Sequence, residues 1–139
     1  MNSKLLLRIA ALLILVHLLG HAVGHFSWKD ATDPVKQEVI KQMTGPKFPF
    51  MGATRSMGDY YEGYGLILFF VYFMTISILV TVSGMPSSQT STAKKLLYPI
   101  AITYIAFGII EFLHFFPFAA GISLGAGLLT IVSIFYMKR

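Results

Sequence analysis

Residues 96–137 read LLYPIAITYIAFGIIEFLHFFPFAAGISLGAGLLTIVSIFYM, two long apolar runs separated by Pro117 alone. An α-helix rises about 1.5 Å per residue, so about 20 residues cross the ~30 Å hydrocarbon core of a membrane. Leu96–Phe116 and Phe118–Met137 are both long enough. They lack the strict alternation of barrel strands, and backbone polar groups in lipid must be satisfied internally. The stretch therefore predicts two membrane-spanning helices joined by a tight hairpin.

Two further apolar runs, Leu5–Val23 and Tyr64–Val82, have the same character. Of the 139 residues, 55% are hydrophobic and only 12% are charged, with a mean hydropathy of +0.70. This composition excludes an intrinsically disordered chain and is far from that of a water-soluble domain. We predict an all-α integral membrane four-helix bundle, a single domain over residues 1–139. One long outer loop, residues 24–63, joins the first two spans.

The charges predict the orientation of the spans and exclude one class of partner. On one predicted side lie six cations and no acid, namely Lys4, Arg8, Lys94, Lys95, Lys138 and Arg139. The other side carries five cations and five acids. Since cations near span ends favour the cytoplasmic face, we expect both termini in the cytoplasm and the chain in a bacterial inner membrane. The cations form no patch, so nucleic acid is not an expected partner.

An alternative makes residues 1–24 a cleaved signal peptide. Lys4 and Arg8 precede an apolar stretch, and Ala22-Val23-Gly24 fits a small-residue cleavage site. The apolar stretch is long for a signal peptide and carries His17 and His21. We therefore prefer an uncleaved first span.

The long outer loop contains the pattern of a short amphipathic helix. Asp33 suits an N-cap, Pro34 suits the first helical position, and Gly45 suits the end of the helix. Between them, apolar residues recur every four positions at Val35, Val39 and Met43. That spacing gives the predicted helix one apolar face.

The first span carries three histidines spaced to share one face. His17, His21 and His25 follow at intervals of four residues, and residues four apart are neighbours on a helix. Gly20 and Gly24 lie beside them in a GxxxG pattern that permits close helix approach. We expect His17 and His21 inside the bundle and His25 at the membrane interface.

The third span carries the only acid within any predicted span, Glu111. A charged side chain in lipid costs about 2.5–3.5 kcal/mol unless it finds a partner or water. His17 and Glu111 lie at similar depths, about 9 and 8 Å below the outer ends of their spans. His114 follows Glu111 by one turn. We predict that His17 meets Glu111 and that His21 faces His114.

Aromatic and charged residues at a similar level extend this predicted site. Arg55 and Asp59, four residues apart, are expected to form an ion pair if their segment is helical. Glu111 and His17 are the catalytic candidates, and the ligand-binding candidates are His21, His114, Tyr61, Tyr64, Tyr72, Tyr104, Arg55 and Asp59. A purely structural hydrogen-bond network is the alternative for the histidines and Glu111. For Tyr61, Tyr64 and Tyr72, an aromatic belt at the headgroup level is the simpler interpretation, because they lie around the start of the second span.

The segment Phe48–Leu66, FPFMGATRSMGDYYEGYGL, together with Gly20-His21, resembles a family of small four-span bacterial membrane proteins. The resemblance implies the four-span topology and a set of motif positions, His21, Met51, Gly52, Arg55, Ser56, Asp59, Tyr61, Gly63 and Gly65. It implies no activity. A looser likeness, of architecture alone, is to four-span enzymes of the sterol-isomerase type. That likeness implies His and Glu placed in a membrane cavity for proton transfer.

Three functions are compatible with these features. The favoured one is binding of a lipid-like or quinone-like molecule in a His/Glu-lined pocket near the outer leaflet, without a cofactor. The second is a membrane enzyme in which Glu111 and a histidine transfer a proton on an apolar substrate. In the third, zinc, iron or haem is held by His17, His21, Glu111 and His114. Zero cysteines exclude disulfides and thiolate ligands. Expected partners are membrane lipids, an apolar small molecule and, through the glycine-rich helix faces, a second copy.

Overall fold

The computed structural model describes residues 2–137. Its helices are α1 (Ser3–Ser27), α2 (Pro34–Thr44), α3 (Met57–Gly84), α4 (Thr90–His114) and α5 (Pro117–Tyr136), with a short 3₁₀ turn at Ser87–Gln89. Two strands, β1 (Lys47–Phe50) and β2 (Ala53–Ser56), lie between α2 and α3. The helical character predicted from the sequence is confirmed, and the two strands are the exception that we did not predict.

Four of the helices, α1, α3, α4 and α5, are long and apolar enough to cross a membrane. They correspond to the four predicted apolar runs, but their bounds differ. Helix α1 continues to Ser27 rather than Val23, α3 begins at Met57 rather than Tyr64, and α4 begins at Thr90 rather than Leu96. Hydropathy locates the apolar part of a helix, whereas polar residues extend its hydrogen-bonded turns. The predicted spans were therefore too short at these ends.

The predicted hairpin between the last two spans is confirmed. Helix α4 ends at His114 and α5 begins at Pro117, so only Phe115 and Phe116 join them. Proline suits the first helical position because its missing N–H has no intrahelical partner there. Helices α4 and α5 then pack closely against each other.

Two glycines, Gly108 and Gly127, allow α4 and α5 to pack closely, whereas other glycines make no close contact. A Cβ added at Gly108 would lie 2.9 Å from the backbone nitrogen of Leu124, and one at Gly127 would lie 2.9 Å from the backbone nitrogen of Ile105. Gly20, Gly24 and Gly121 instead face open space among the described residues. The expected close contacts at Gly20 and Gly24 are therefore wrong, because GxxxG spacing permits an approach without requiring one.

The two strands form an antiparallel hairpin in which Lys47 pairs with Ser56 and Phe50 pairs with Ala53. Its turn residues, Met51 and Gly52, both have positive φ, at 47° and 84°. Such turns match the twist of the flanking strands but usually contain Asn or Gly at both positions. The hairpin was missed because methionine is not a usual turn residue.

Side-chain caps set the starts of α2 and α3. The Asp33 carboxylate accepts a hydrogen bond from the Lys36 backbone N–H at 2.9 Å, and Pro34 follows at the first helical position. This confirms the predicted amphipathic helix. At α3, Ser56 N–H donates to the Asp59 carboxylate at 2.8 Å, and Asp59 N–H donates to the Ser56 hydroxyl at 3.1 Å. The reciprocal pair satisfies two backbone donors and explains why α3 begins directly after β2.

Contacts divide the described chain into two compact units, residues 2–18 with 72–137, and residues 19–71. The first unit contains segments of all four long helices. Its core includes fully buried apolar side chains at Leu7, Ile14, Leu79, Leu97 and Ile134. The second unit contains α2, the strand hairpin, the end of α1 and the start of α3.

Candidate functional site

A buried polar cluster lies in the first unit and is centred on His17. The buried face of α1 is formed by Leu6, Leu7, Ala10, Ala11, Ile14 and His17. The residues follow helical spacing, so the face that packs into the core carries the histidine as its last member. His17 is only 9% exposed. The helix therefore positions an ionisable ring among apolar side chains.

Each of the other three long helices supplies one polar side chain to His17. The Tyr72 hydroxyl of α3 lies 3.2 Å from Nε2, and the Ser123 hydroxyl of α5 lies 3.2 Å from Nδ1. Glu111 Oε1 of α4 lies 3.5 Å from Nε2. This confirms the predicted meeting of His17 and Glu111.

The protonation states open to His17 and Glu111 determine what chemistry this cluster can perform. A neutral imidazole has one N–H donor and one nitrogen acceptor, whereas its protonated form has two donors. His17 and Glu111 are neutral overall either as imidazolium with carboxylate or as imidazole with carboxylic acid. Because Nε2 and Oε1 are 3.5 Å apart, moving one proton between them would leave the net charge of the buried pair unchanged. The cluster can therefore hold a transferable proton.

Two further polar atoms of the cluster are buried without a hydrogen bond. Among residues 2–137, neither the Tyr104 hydroxyl nor Glu111 Oε2 has a hydrogen-bond partner. The Thr75 hydroxyl lies beside Tyr104 and the Ser123 hydroxyl lies beside Glu111, but neither has the geometry of a hydrogen bond to Tyr104 Oη or to Glu111 Oε2. Buried polar groups are usually paired because burying one unpaired costs about 1–3 kcal/mol. Tyr104 Oη and Glu111 Oε2 are therefore the two atoms of the cluster that can still take a hydrogen bond.

Four predicted site residues lie in this cluster, and sequence reasoning missed two of its members. The predicted ones are His17, Tyr72 and Glu111, which meet at the His17 ring, and Tyr104, which lies near Glu111. Tyr72 is buried rather than part of an aromatic belt. Ser123 and Thr75 were missed. The helix α5 carries other buried hydroxyls at Thr130 and Ser133, which bond to carbonyls of their own helix. Sequence alone therefore gave no signal that would distinguish Ser123.

In the second unit, His21 and His25 contact α3 at Gly65. The His21 Nε2 lies 2.9 Å from the Gly65 carbonyl oxygen, so that nitrogen carries the proton and donates it. The His25 ring occupies the space where a Gly65 side chain would lie. Both rings also pack against Phe69, with centroids 4.9 and 5.5 Å away. Gly65, a motif position of the resemblance, thus has a packing role that spacing did not reveal.

The remaining predicted residues make contacts of other kinds. Tyr61 packs on Trp28 with ring centroids 4.9 Å apart, while Tyr64 is exposed. His114, expected to face His21 inside the bundle, is instead exposed in the last turn of α4. That expectation is wrong, because the His21 ring is bonded to Gly65 of α3 and His114 is exposed.

The expected Arg55–Asp59 ion pair is also wrong. Arg55 belongs to β2 and donates to the carbonyl of Thr54 at 2.9 Å, whereas Asp59 caps α3 through Ser56. The helical spacing that would bring the pair together does not apply, because the chain is extended up to Ser56. Asp59 therefore has a local structural role.

The four residues considered as metal ligands do not form a metal site. Among residues 2–137, no group of three or more His, Asp or Glu side chains is close enough to hold a metal ion. The set proposed from the sequence was His17, His21, Glu111 and His114. It fails because His21 is bonded to Gly65 and His114 is exposed.

Comparisons with family models, with curated proteins and with solved structures find no match to this chain.

Proposed function

We propose that this chain is an integral membrane protein of the bacterial inner membrane, with residues 24–63 outside and both termini in the cytoplasm. The four long apolar helices support membrane insertion. The orientation is supported by the excess of cations over acids in residues 2–8 and 83–95. Helix α1 buries an apolar face that includes Leu7 and Ile14, which supports a first span that is retained rather than cleaved.

Single cysteines test this topology. The chain has no cysteine of its own, and Ser88 and Gln37 are both exposed. We expect a membrane-impermeant maleimide to label Gln37→Cys in cells with a permeable outer membrane, and Ser88→Cys only after the inner membrane is opened. Labelling of both before that step would overturn the topology, and labelling of Ser88 alone would reverse it.

For function, we propose that the His17–Glu111 cluster binds the polar end of a lipid-like or quinone-like molecule. The observation that carries this proposal is that two neighbouring residues, Tyr104 and Glu111, each bury a polar atom with no hydrogen-bond partner among residues 2–137. The Tyr104 hydroxyl can donate a hydrogen bond to an oxygen of a ligand. The Glu111 carboxyl can accept a hydrogen bond from a ligand hydroxyl or, when protonated, donate one to a ligand oxygen. A carbonyl or hydroxyl on an apolar molecule has the matching chemistry, and the apolar side chains around the cluster suit the rest of such a molecule.

Tyr104→Phe separates a binding role from a structural one. The variant removes only a hydroxyl that has no hydrogen-bond partner in the part of the chain that the structure describes, so the free energy of unfolding should be unchanged or slightly higher. Binding of 2,3-dimethoxy-5-methyl-6-decyl-benzoquinone or of 1-dodecanol to the purified protein in detergent should weaken about tenfold, the effect of a ~1.4 kcal/mol hydrogen bond. Glu111→Gln should weaken it at least as much.

Glu62→Gln is the matched control, because it makes the same change at an exposed carboxylate paired with Lys29. It should leave binding unaltered. If neither probe binds saturably to the wild type, or if Tyr104→Phe lowers stability and spares binding, the binding role is refuted and the cluster is structural.

The second candidate function is proton transfer on an apolar substrate. The 3.5 Å separation of His17 Nε2 and Glu111 Oε1 favours it, because a proton that either group takes from a substrate could then be shared with the other. Incubating the protein with a long-chain methyl ketone in D₂O discriminates the two roles, because the deuterium content of the recovered ketone reports proton transfer. A ketone recovered unchanged supports binding alone, whereas one that has gained deuterium next to its carbonyl in a Glu111-dependent manner supports an enzyme.

A further inference from the structure

Helix α2 leaves an apolar groove open in the second unit. The groove has a volume of about 600 Å³ and is lined by Pro34, Val35, Glu38, Val39, Gln42, Met43 and Met57. No residue of α2 is buried. Val35 is 72% exposed, Val39 is 52% exposed and Met57 is 56% exposed. An apolar face of this kind is stabilised only when it is removed from water.

The packing of α2 places the groove beside the first turn of α3. A Cβ at Gly58 would lie 2.9 Å from Thr44 Cγ2, 3.3 Å from the Met43 carbonyl oxygen and 3.4 Å from the Trp28 ring. Trp28 in turn packs on Tyr61 of α3. Tryptophan and tyrosine are enriched where a spanning helix passes the headgroups. The groove therefore lies at the level expected for the surface of the lipid layer.

The groove is continuous with an exposed face of α3. Met57 lines the groove, and Met57, Tyr61 and Tyr64 follow at i, i+4 and i+7, so they share one face of the helix. All three are exposed. If α3 spans the membrane, this face enters the lipid beyond residue 63, and Met57 joins it to the groove under α2.

We propose that the groove under α2 is filled by the acyl chains and glycerol region of the surrounding lipid layer, so that α2 docks on the membrane surface. The lining is almost wholly apolar, with Glu38 and Gln42 as its only polar members. Residues 24–63 carry five cations and five acids, so electrostatic attraction to anionic lipid is not what holds α2. The proposal rests on the proposed insertion of the long helices.

Three single-cysteine variants, labelled with the environment-sensitive fluorophore NBD in phosphatidylcholine nanodiscs, test the docking. Val39→Cys reports on the groove, and Lys41→Cys reports on the opposite side of α2. Phe70→Cys, on an exposed position of α3, reports on membrane insertion. Lipids with a doxyl spin label near the headgroup should quench Val39 at least threefold more than Lys41. Lipids with a label deep in the acyl chain should quench Phe70.

The control separates failure of the docking from failure of insertion. Quenching of Phe70 without quenching of Val39 would overturn the docking alone, and lack of quenching at Phe70 would overturn insertion itself. A blue-shifted Val39 probe that lipid labels do not quench would show that protein, such as a second copy, covers the groove, which also overturns the proposal. Replacing phosphatidylcholine by anionic lipid should leave the quenching ratio unchanged, and dependence on anionic lipid would contradict an apolar mode of docking.

Discussion

A His17→Leu variant is expected to lose about 2–4 kcal/mol of unfolding free energy, because three polar side chains lose their shared partner. Tyr72, Ser123 and Glu111 each contact the imidazole of His17. Leucine is of comparable size, so the loss comes from unpaired polar groups rather than from a cavity. The measurement is unfolding of the purified protein in mixed micelles with increasing dodecyl sulfate, followed by circular dichroism.

The double variant His17→Leu/Glu111→Leu is the control, because it tests whether His17 and Glu111 stabilise the protein as a pair. Removing one partner of a buried pair leaves the other uncompensated, whereas replacing both with apolar side chains is often nearly neutral. The double variant should therefore be more stable than His17→Leu alone, with a coupling of at least about 1 kcal/mol. Strictly additive effects of the two substitutions would show that His17 and Glu111 do not act as a pair.

The His17–Glu111 contact could be predicted from the sequence because lipid makes it costly to leave either side chain alone. Glu111 is the only acid within the predicted spans, so few partners had to be considered. We expected the two residues at similar distances from the outer ends of their spans, and that expectation is wrong. Helix α1 continues ten residues beyond His17, whereas α4 ends three residues after Glu111. The pair meets because of helix packing, not because their spans end together.

The remaining members of the cluster could not be predicted, because the sequence does not fix the rotation of a helix about its axis. Ser123 contacts His17 and Thr130 bonds to its own helix, yet both are hydroxyls in an apolar run of α5. Tyr72 and Tyr64 belong to the same span, but the first is buried and the second is 69% exposed. Composition identifies such residues as polar, and only the packing of α3 and α5 assigns them to the core or the surface.

Substitutions at two glycines of the α4–α5 hairpin should have opposite effects on stability. At Gly108, an alanine Cβ would lie 2.9 Å from the backbone nitrogen of Leu124 and would also meet its side chain. A backbone atom cannot rotate away, so α4 and α5 must separate. We expect Gly108→Ala to lower the unfolding free energy by about 1–3 kcal/mol, as overpacking does elsewhere.

Gly121→Ala is the matched control on the partner helix. Its Cβ would have no described atom within 4 Å, so the substitution adds no clash, and alanine favours helix by about 1 kcal/mol over glycine. This variant should be as stable as the wild type or more so when both are unfolded in the same mixed micelles. Since the two substitutions are chemically identical, the difference between them measures the contact of α4 with α5 rather than helix propensity. Equal effects at both positions would mean that the close approach at Gly108 does not hold the hairpin together, and the placement of Glu111 beside Ser123 would lose its support.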